Sequence, residues 1–96
     1  MDNFYSIYIN PKKDSNIEQV EIEMNKALDW FRLNQSFWIV YSSSDVDQWM
    51  ARLKKLVDPD GTLFICELNI ENRNGWMTDK FWNWLKKNIN KSISKK

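Results

Sequence analysis

Two segments of this chain carry bulky apolar side chains on both faces of a strand, and that limits the fold more than any other feature. In FYSIYIN, residues 4–10, Phe4 and Tyr8 alternate with Tyr5, Ile7 and Ile9. In FWIVYS, residues 37–42, Phe37, Ile39 and Tyr41 alternate with Trp38 and Val40. Successive side chains of a strand point to opposite faces, so a sheet built from these segments needs cover on both sides. A soluble monomer does not normally leave that much ring surface in water.

The remaining segments supply the cover. Ser15 followed by Glu18 reads as a capping box, opening a helix with Ile17, Val20, Met24, Ala27 and Leu28 on one face. Residues 30–34 and 37–42 read as antiparallel strands joined by Asn34-Gln35-Ser36. Ser44 with Asp47 reads as a second box, and Val46, Trp49, Met50, Leu53, Leu56 and Val57 form a clear helical stripe. Asp58-Pro59-Asp60-Gly61 is a turn in which proline presets φ and glycine supplies φ > 0; residues 62–70 form the fourth strand. After a polar loop, GWMTDKFWNWLKK (residues 75–87) reads as a helix with Thr78 as N-cap and Met77 against Trp82 as a hydrophobic staple. Its apolar stripe is Phe81, Trp82, Leu85 and Ile89, with Trp84 at the margin and Lys80, Asn83, Lys86 and Lys87 opposite. Strand, helix, strand, strand, helix, strand and a final helix predict an α+β chain: a ferredoxin-like βαββαβ antiparallel sheet with an appended C-terminal helix. Residues 1–89 are expected as one domain and residues 90–96 as a disordered basic tail.

Composition removes several chemistries. With no histidine and Cys66 as the only cysteine, an internal disulfide, a Cys/His zinc site and a His-based nucleophile system cannot be built. Gly61 and Gly75 are the only glycines, so there is no glycine-rich phosphate loop. No cofactor is expected. The start of the chain reads as neither signal peptide nor membrane span, so a cytoplasmic protein without membrane attachment is expected. From Lys80 onward there are six lysines and no acids, whereas residues 1–79 carry eight basic and thirteen acidic side chains. Such a tail is either a solvated end or an electrostatic grip on nucleic acid.

Residues 30–40, LVDPDGTLFICEL (residues 56–68) and the closing GWM…FWNWLKK resemble the small bacterial family labelled SinR-like, which is similar in fold to the CRISPR-associated Cas-two protein and the toxin VapD. The resemblance covers residues 4–87 and is most specific in SFWIV and GWMTDKFWNWL. It implies a ferredoxin-like homodimer, and it raises metal-dependent nuclease activity through an aspartate near the end of the first strand. Here that position is Tyr8. The remaining carboxylate candidates for a catalytic role are Glu67 and Asp14.

The reading adopted is a non-catalytic, homodimeric binding module with an aromatic protein-interaction surface, anchored by Tyr8, Trp38, Trp76 and Trp84. Because such proteins occur on mobile elements, a link to these or to defence systems is part of the expectation. One alternative is a single-stranded RNA- or DNA-binding protein gripping phosphates through Lys54, Lys55, Lys86 and Lys87. The other is a metal-dependent endonuclease with a rearranged carboxylate site.

Overall fold

A computed structural model describes residues 2–94. The elements follow in the order β1 (Asn3–Asn10), α1 (Ile17–Met24), β2 (Asp29–Arg32), β3 (Phe37–Ser42), α2 (Val46–Val57), β4 (Thr62–Leu68) and α3 (Asp79–Ser94). The chain is α+β: the strands form one sheet in the order β2-β3-β1-β4, with every neighbouring pair antiparallel.

Both sheet faces are covered, each by different helices. On one face Tyr5, Ile7, Ile9, Trp38 and Val40 meet Val20 and Met24 of α1 and Trp49, Leu53, Leu56 and Val57 of α2. On the other, Phe4, Ile39 and Tyr41 meet Phe81, Trp84 and Leu85 of α3. The two-sided strands therefore find their second cover within the chain, although α3 does not reach all of that face.

Both capping boxes lie one residue later than the sequence suggests. Asn16 Oδ1 accepts from Gln19 N at 3.0 Å while Gln19 Oε1 accepts from Asn16 N at 2.9 Å. Asp45 and Gln48 make the same reciprocal pair at 2.8 and 2.9 Å, and neither Ser15 nor Ser44 is the cap. Helix α1 ends at Met24, so Ala27 and Leu28 lie beyond it and Leu28 is exposed. The glycine-free β2–β3 turn is closed by Asn34, whose Oδ1 accepts from the backbone N–H of Ser36 and Phe37 at 2.9 and 3.0 Å. This is an Asx turn, which needs no left-handed residue.

Gly61 has no positive φ, contrary to the turn expectation. Its requirement is space: a Cβ there would stand 2.5 Å from Asn10 O and 2.9 Å from both Lys12 N and Val57 Cα. The last helix continues to Ser94, so the disordered tail expected from residue 90 is helical up to that point; residues 88–94 contain neither glycine nor proline to stop it. Lys95 and Lys96 lie outside the described residues. No helix among the described residues is long and apolar enough to cross a membrane.

Candidate interaction surfaces

The face covered by α3 is left open towards the β4 edge. Tyr8 of β1 stands between Phe37 of β3 and Phe64 of β4 in the register, and period-two alternation puts all three on that face. Tyr8 is 42% exposed and Phe64 67% exposed, while the rings at the other end of the face lie under α3. Polar contacts fix the end of this strip: Asn10 Nδ2 donates to Tyr8 Oη at 2.6 Å and to Thr62 Oγ1 at 3.3 Å.

The open edge beside the strip has a defined pairing pattern. Ile9 N donates to Ser36 O at 2.8 Å, so the odd-numbered residues of β1 turn their backbone groups towards β3 and the even-numbered ones towards β4. With Tyr8 opposite Phe64, the backbone N–H and C=O groups of Leu63, Ile65 and Glu67 point away from the sheet. Strand β4 carries neither lysine nor proline, two residue types that commonly block strand addition at an edge.

Of the four rings expected to anchor an interface, Tyr8 lies on the strip and Trp76, 98% exposed, lies in the loop between β4 and α3. Trp38 is fully buried under α1 and α2, against Trp30 at 4.8 Å between ring centroids. With no accessible surface it cannot touch a partner of this fold. Trp84 is likewise enclosed, by Phe4, Phe31 and Phe81. The positions of Trp82 and Trp84 are thus reversed from the sequence expectation: Trp84 is core and Trp82 is half-buried.

The four candidate lysines do not make one patch. Lys54 and Lys55 ride on α2 and Lys86 and Lys87 on α3, on opposite sides of the sheet. Lys55 and Lys87 are also paired, with Glu23 at 3.2 Å and Asp29 at 3.1 Å. The carboxylate candidates are separated too. Asp14 is exposed in the loop after β1, whereas Glu67 is exposed on β4 opposite Tyr5, near the other end of β1. Among the described residues no group of three or more histidine, cysteine or acidic side chains could hold a metal ion.

Two carboxylates join the layers instead. Asp29 Oδ2 accepts from Asn88 Nδ2 at 3.0 Å and pairs with Lys87, while Oδ1 accepts from Trp30 N at 2.9 Å. These contacts tie α3 to β2. Buried Glu23 bridges Lys26 at 2.8 Å and Lys55 of α2. Burial works to raise both pKa values. It is outweighed at Asp29 by hydrogen bonds from Asn88, Lys87 and the Trp30 backbone, and at Glu23 by Lys26 and Lys55, so both carboxyls lie below their usual range. A lowered folded-state pKa gives stability that is complete above the unfolded value and is lost as pH falls through the folded one. Thermal midpoints measured from pH 7 to pH 2 are therefore expected to fall below about pH 4. The double variant Glu23→Gln, Asp29→Asn is expected to fall less steeply over that window; an equally steep fall would exclude these two groups as its source.

Sequence reasoning missed Phe64, whose signal was its alternation with Leu63 and Ile65. It also missed the Asp29–Asn88 contact, which joins residues 59 apart and has no local pattern. Comparison with protein families, curated proteins and solved structures found no match for this chain.

Proposed function

We propose that this chain is a non-catalytic, homodimeric binding module of ferredoxin-like fold, related to the SinR-like and Cas-two-like proteins, acting in the cytoplasm through an aromatic protein-interaction surface. The fold reading is supported by the order of elements and by the strand order β2-β3-β1-β4, which suit two interleaved βαβ units. The function reading rests on one observation, the ring-bearing strip of Tyr8 and Phe64 beside an unprotected edge.

A second copy of the chain suits this strip. An isologous contact needs a patch that complements itself, and antiparallel pairing of β4 with β4 centred on Ile65 uses all three outward residues of each chain. Ile65 then faces its counterpart, Leu63 faces Glu67, and Phe64 faces Cys66. The strip continues across the junction as one larger aromatic face for a protein partner, and the exposed Trp76 of the loop between β4 and α3 offers a further ring. Mobile elements and the defence systems they meet are the setting we propose for such a partner.

Fluorescence anisotropy of an end-labelled single-stranded RNA, followed over time with Mg²⁺, separates this reading from its alternatives. The expected trace is flat at micromolar protein. A rise that weakens with salt would replace it with nucleic-acid binding. A later decline abolished by Glu67→Ala or Asp14→Ala would replace it with metal-dependent cleavage.

A further inference from the structure

The opposite edge of the sheet offers a different surface. Leu33 N donates to Phe37 O at 2.8 Å, so Asp29, Phe31 and Leu33 pair with β3 and the backbone groups of Trp30 and Arg32 face outwards. Helix α3 runs beside this edge, leaving an open cleft of about 540 Å³ between residues 30–32 and Lys80, Asn83 and Lys87. Lys80 and Lys87 are seven residues apart on the helix, two turns, and Asn83 lies between them on the same side.

The cleft is electrostatically uneven. Lys87 is neutralised by Asp29, whereas Lys80 has no ion-pair partner among the described residues. Phe31 packs on Phe81 at 5.3 Å and on Trp84 at 5.8 Å between ring centroids, while the Asp29 contacts join the start of β2 to Lys87. The chain therefore sets Lys80 towards the Arg32 end and Lys87 at the Asp29 end. The Arg32 side chain turns to the other face of the sheet, where its guanidinium lies over Trp38 and donates to the carbonyls of Asn34 and Gln35 at 3.1 and 2.9 Å.

We propose that this cleft binds an extended, acidic peptide segment of a protein partner, which adds to β2 as a fifth strand. The outward backbone groups of Trp30 and Arg32 would supply main-chain hydrogen bonds, as in other strand-addition complexes. Lys80, on the α3 side of the sheet, would receive an acidic side chain at its end of the cleft. Asp29 Oδ1 already occupies the Trp30 N–H in the manner of a strand carbonyl. An incoming carbonyl replaces it there while Oδ2 keeps Asn88 and Lys87.

Charge alone would also suit a nucleic acid, but the rings favour the peptide. Trp84 is 8% exposed, Phe31 is held against Phe81 and Trp84, and Trp30 lies edge-on to Trp38 with its indole N–H on Asn25 Oδ1 at 2.8 Å. None stands clear as a stacking platform for unpaired bases. The Asp29 carboxylate beside Lys87 would also repel a phosphate at that end.

The test is an NMR titration of amide signals with two capped seven-residue peptides, one alternating valine with glutamate and one alternating valine with glutamine. The expected result is saturable shifts at Trp30 and Arg32 with the glutamate peptide, and at least tenfold weaker binding of both the glutamine peptide and the Lys80→Glu variant. Lys54→Glu, on the other side of the sheet, is expected to bind as the parent chain does. Equal binding of the two peptides, no shift at millimolar peptide, or shifts at Leu63, Ile65 and Glu67 instead would overturn the proposal. So would oligo(dT) displacing the peptide from Trp30 and Arg32. These outcomes leave the β4 dimer untouched, because β2 and β4 are opposite edges of the sheet.

Discussion

Replacing Trp84 with alanine is expected to lower the unfolding free energy by about 3–5 kcal/mol, and Trp82→Ala by less than half as much. The difference follows from where α3 lies. Trp84 fills the space between Phe4, Phe31 and Phe81, with centroid distances of 5.8–6.3 Å. Removing it opens a cavity on the sheet and weakens the one helix that covers Phe4, Ile39 and Tyr41. Trp82 packs on Phe81 from the side at 5.2 Å and remains half-buried. Urea unfolding of the two variants measures this directly, since a shifted midpoint with an unchanged slope reports stability alone. Equal losses, or a larger loss at Trp82, would mean that α3 is rotated from the position described.

The second large effect is expected at Trp38. Trp38→Ala removes a fully buried ring from the other core and should also cost about 3–5 kcal/mol, against a total stability of about 5–15 kcal/mol for a domain of this kind. The ring holds Trp30 and lies 5.2 Å beneath the Arg32 guanidinium. Its indole N–H has no hydrogen-bond partner, and burying an unpaired donor is itself costly. Trp38→Phe removes that donor and keeps most of the ring, so its cost should be less than half that of alanine. A Trp38→Ala variant within about 0.5 kcal/mol of the parent is what an exposed, partner-facing ring would give, and it would contradict the core placement.

Much of the fold was legible because its local signals are strong. The alternation in residues 4–10 and 37–42 and the α2 stripe located three elements, and two-sided strands foretold a sheet covered on both faces. The capping boxes slipped by one residue because suitable side chains lie in both frames, Ser15 with Glu18 and Asn16 with Gln19. Both frames put Val20 and Met24 on the same face, so the apolar pattern does not choose between them; the chain starts the helix where Asn16 and Gln19 satisfy each other's backbone N–H groups. The rotation of α3 was illegible for a related reason. Trp82 and Trp84 flank Phe81 and Leu85 on the wheel, and the facing rings Phe4 and Phe31 decide which one is enclosed.

The candidate surfaces were less legible than the fold. Tyr8 and Trp76 are exposed as an interface reading requires, but the sequence does not show how far α3 extends across the sheet. That reach buries Trp84 and leaves Phe64 uncovered. The lysine candidates were close in sequence only as pairs, and the sheet stands between the pairs. The Asp29 contacts with α3 depend on tertiary approach, so no local spacing announces them.

In the proposed dimer the Tyr8–Phe64 strip and the β4 edge join two copies of the chain. The decisive experiment is sedimentation velocity of the parent and of Phe64→Glu, over a range from micromolar to about a hundred micromolar. Phe64 is 67% exposed in the single chain, so its replacement leaves the fold intact while placing a charge in the proposed junction. The parent is expected to sediment at twice the chain mass and the folded variant at the chain mass. A parent that stays at the chain mass throughout, or a variant that pairs as strongly as the parent, would contradict it.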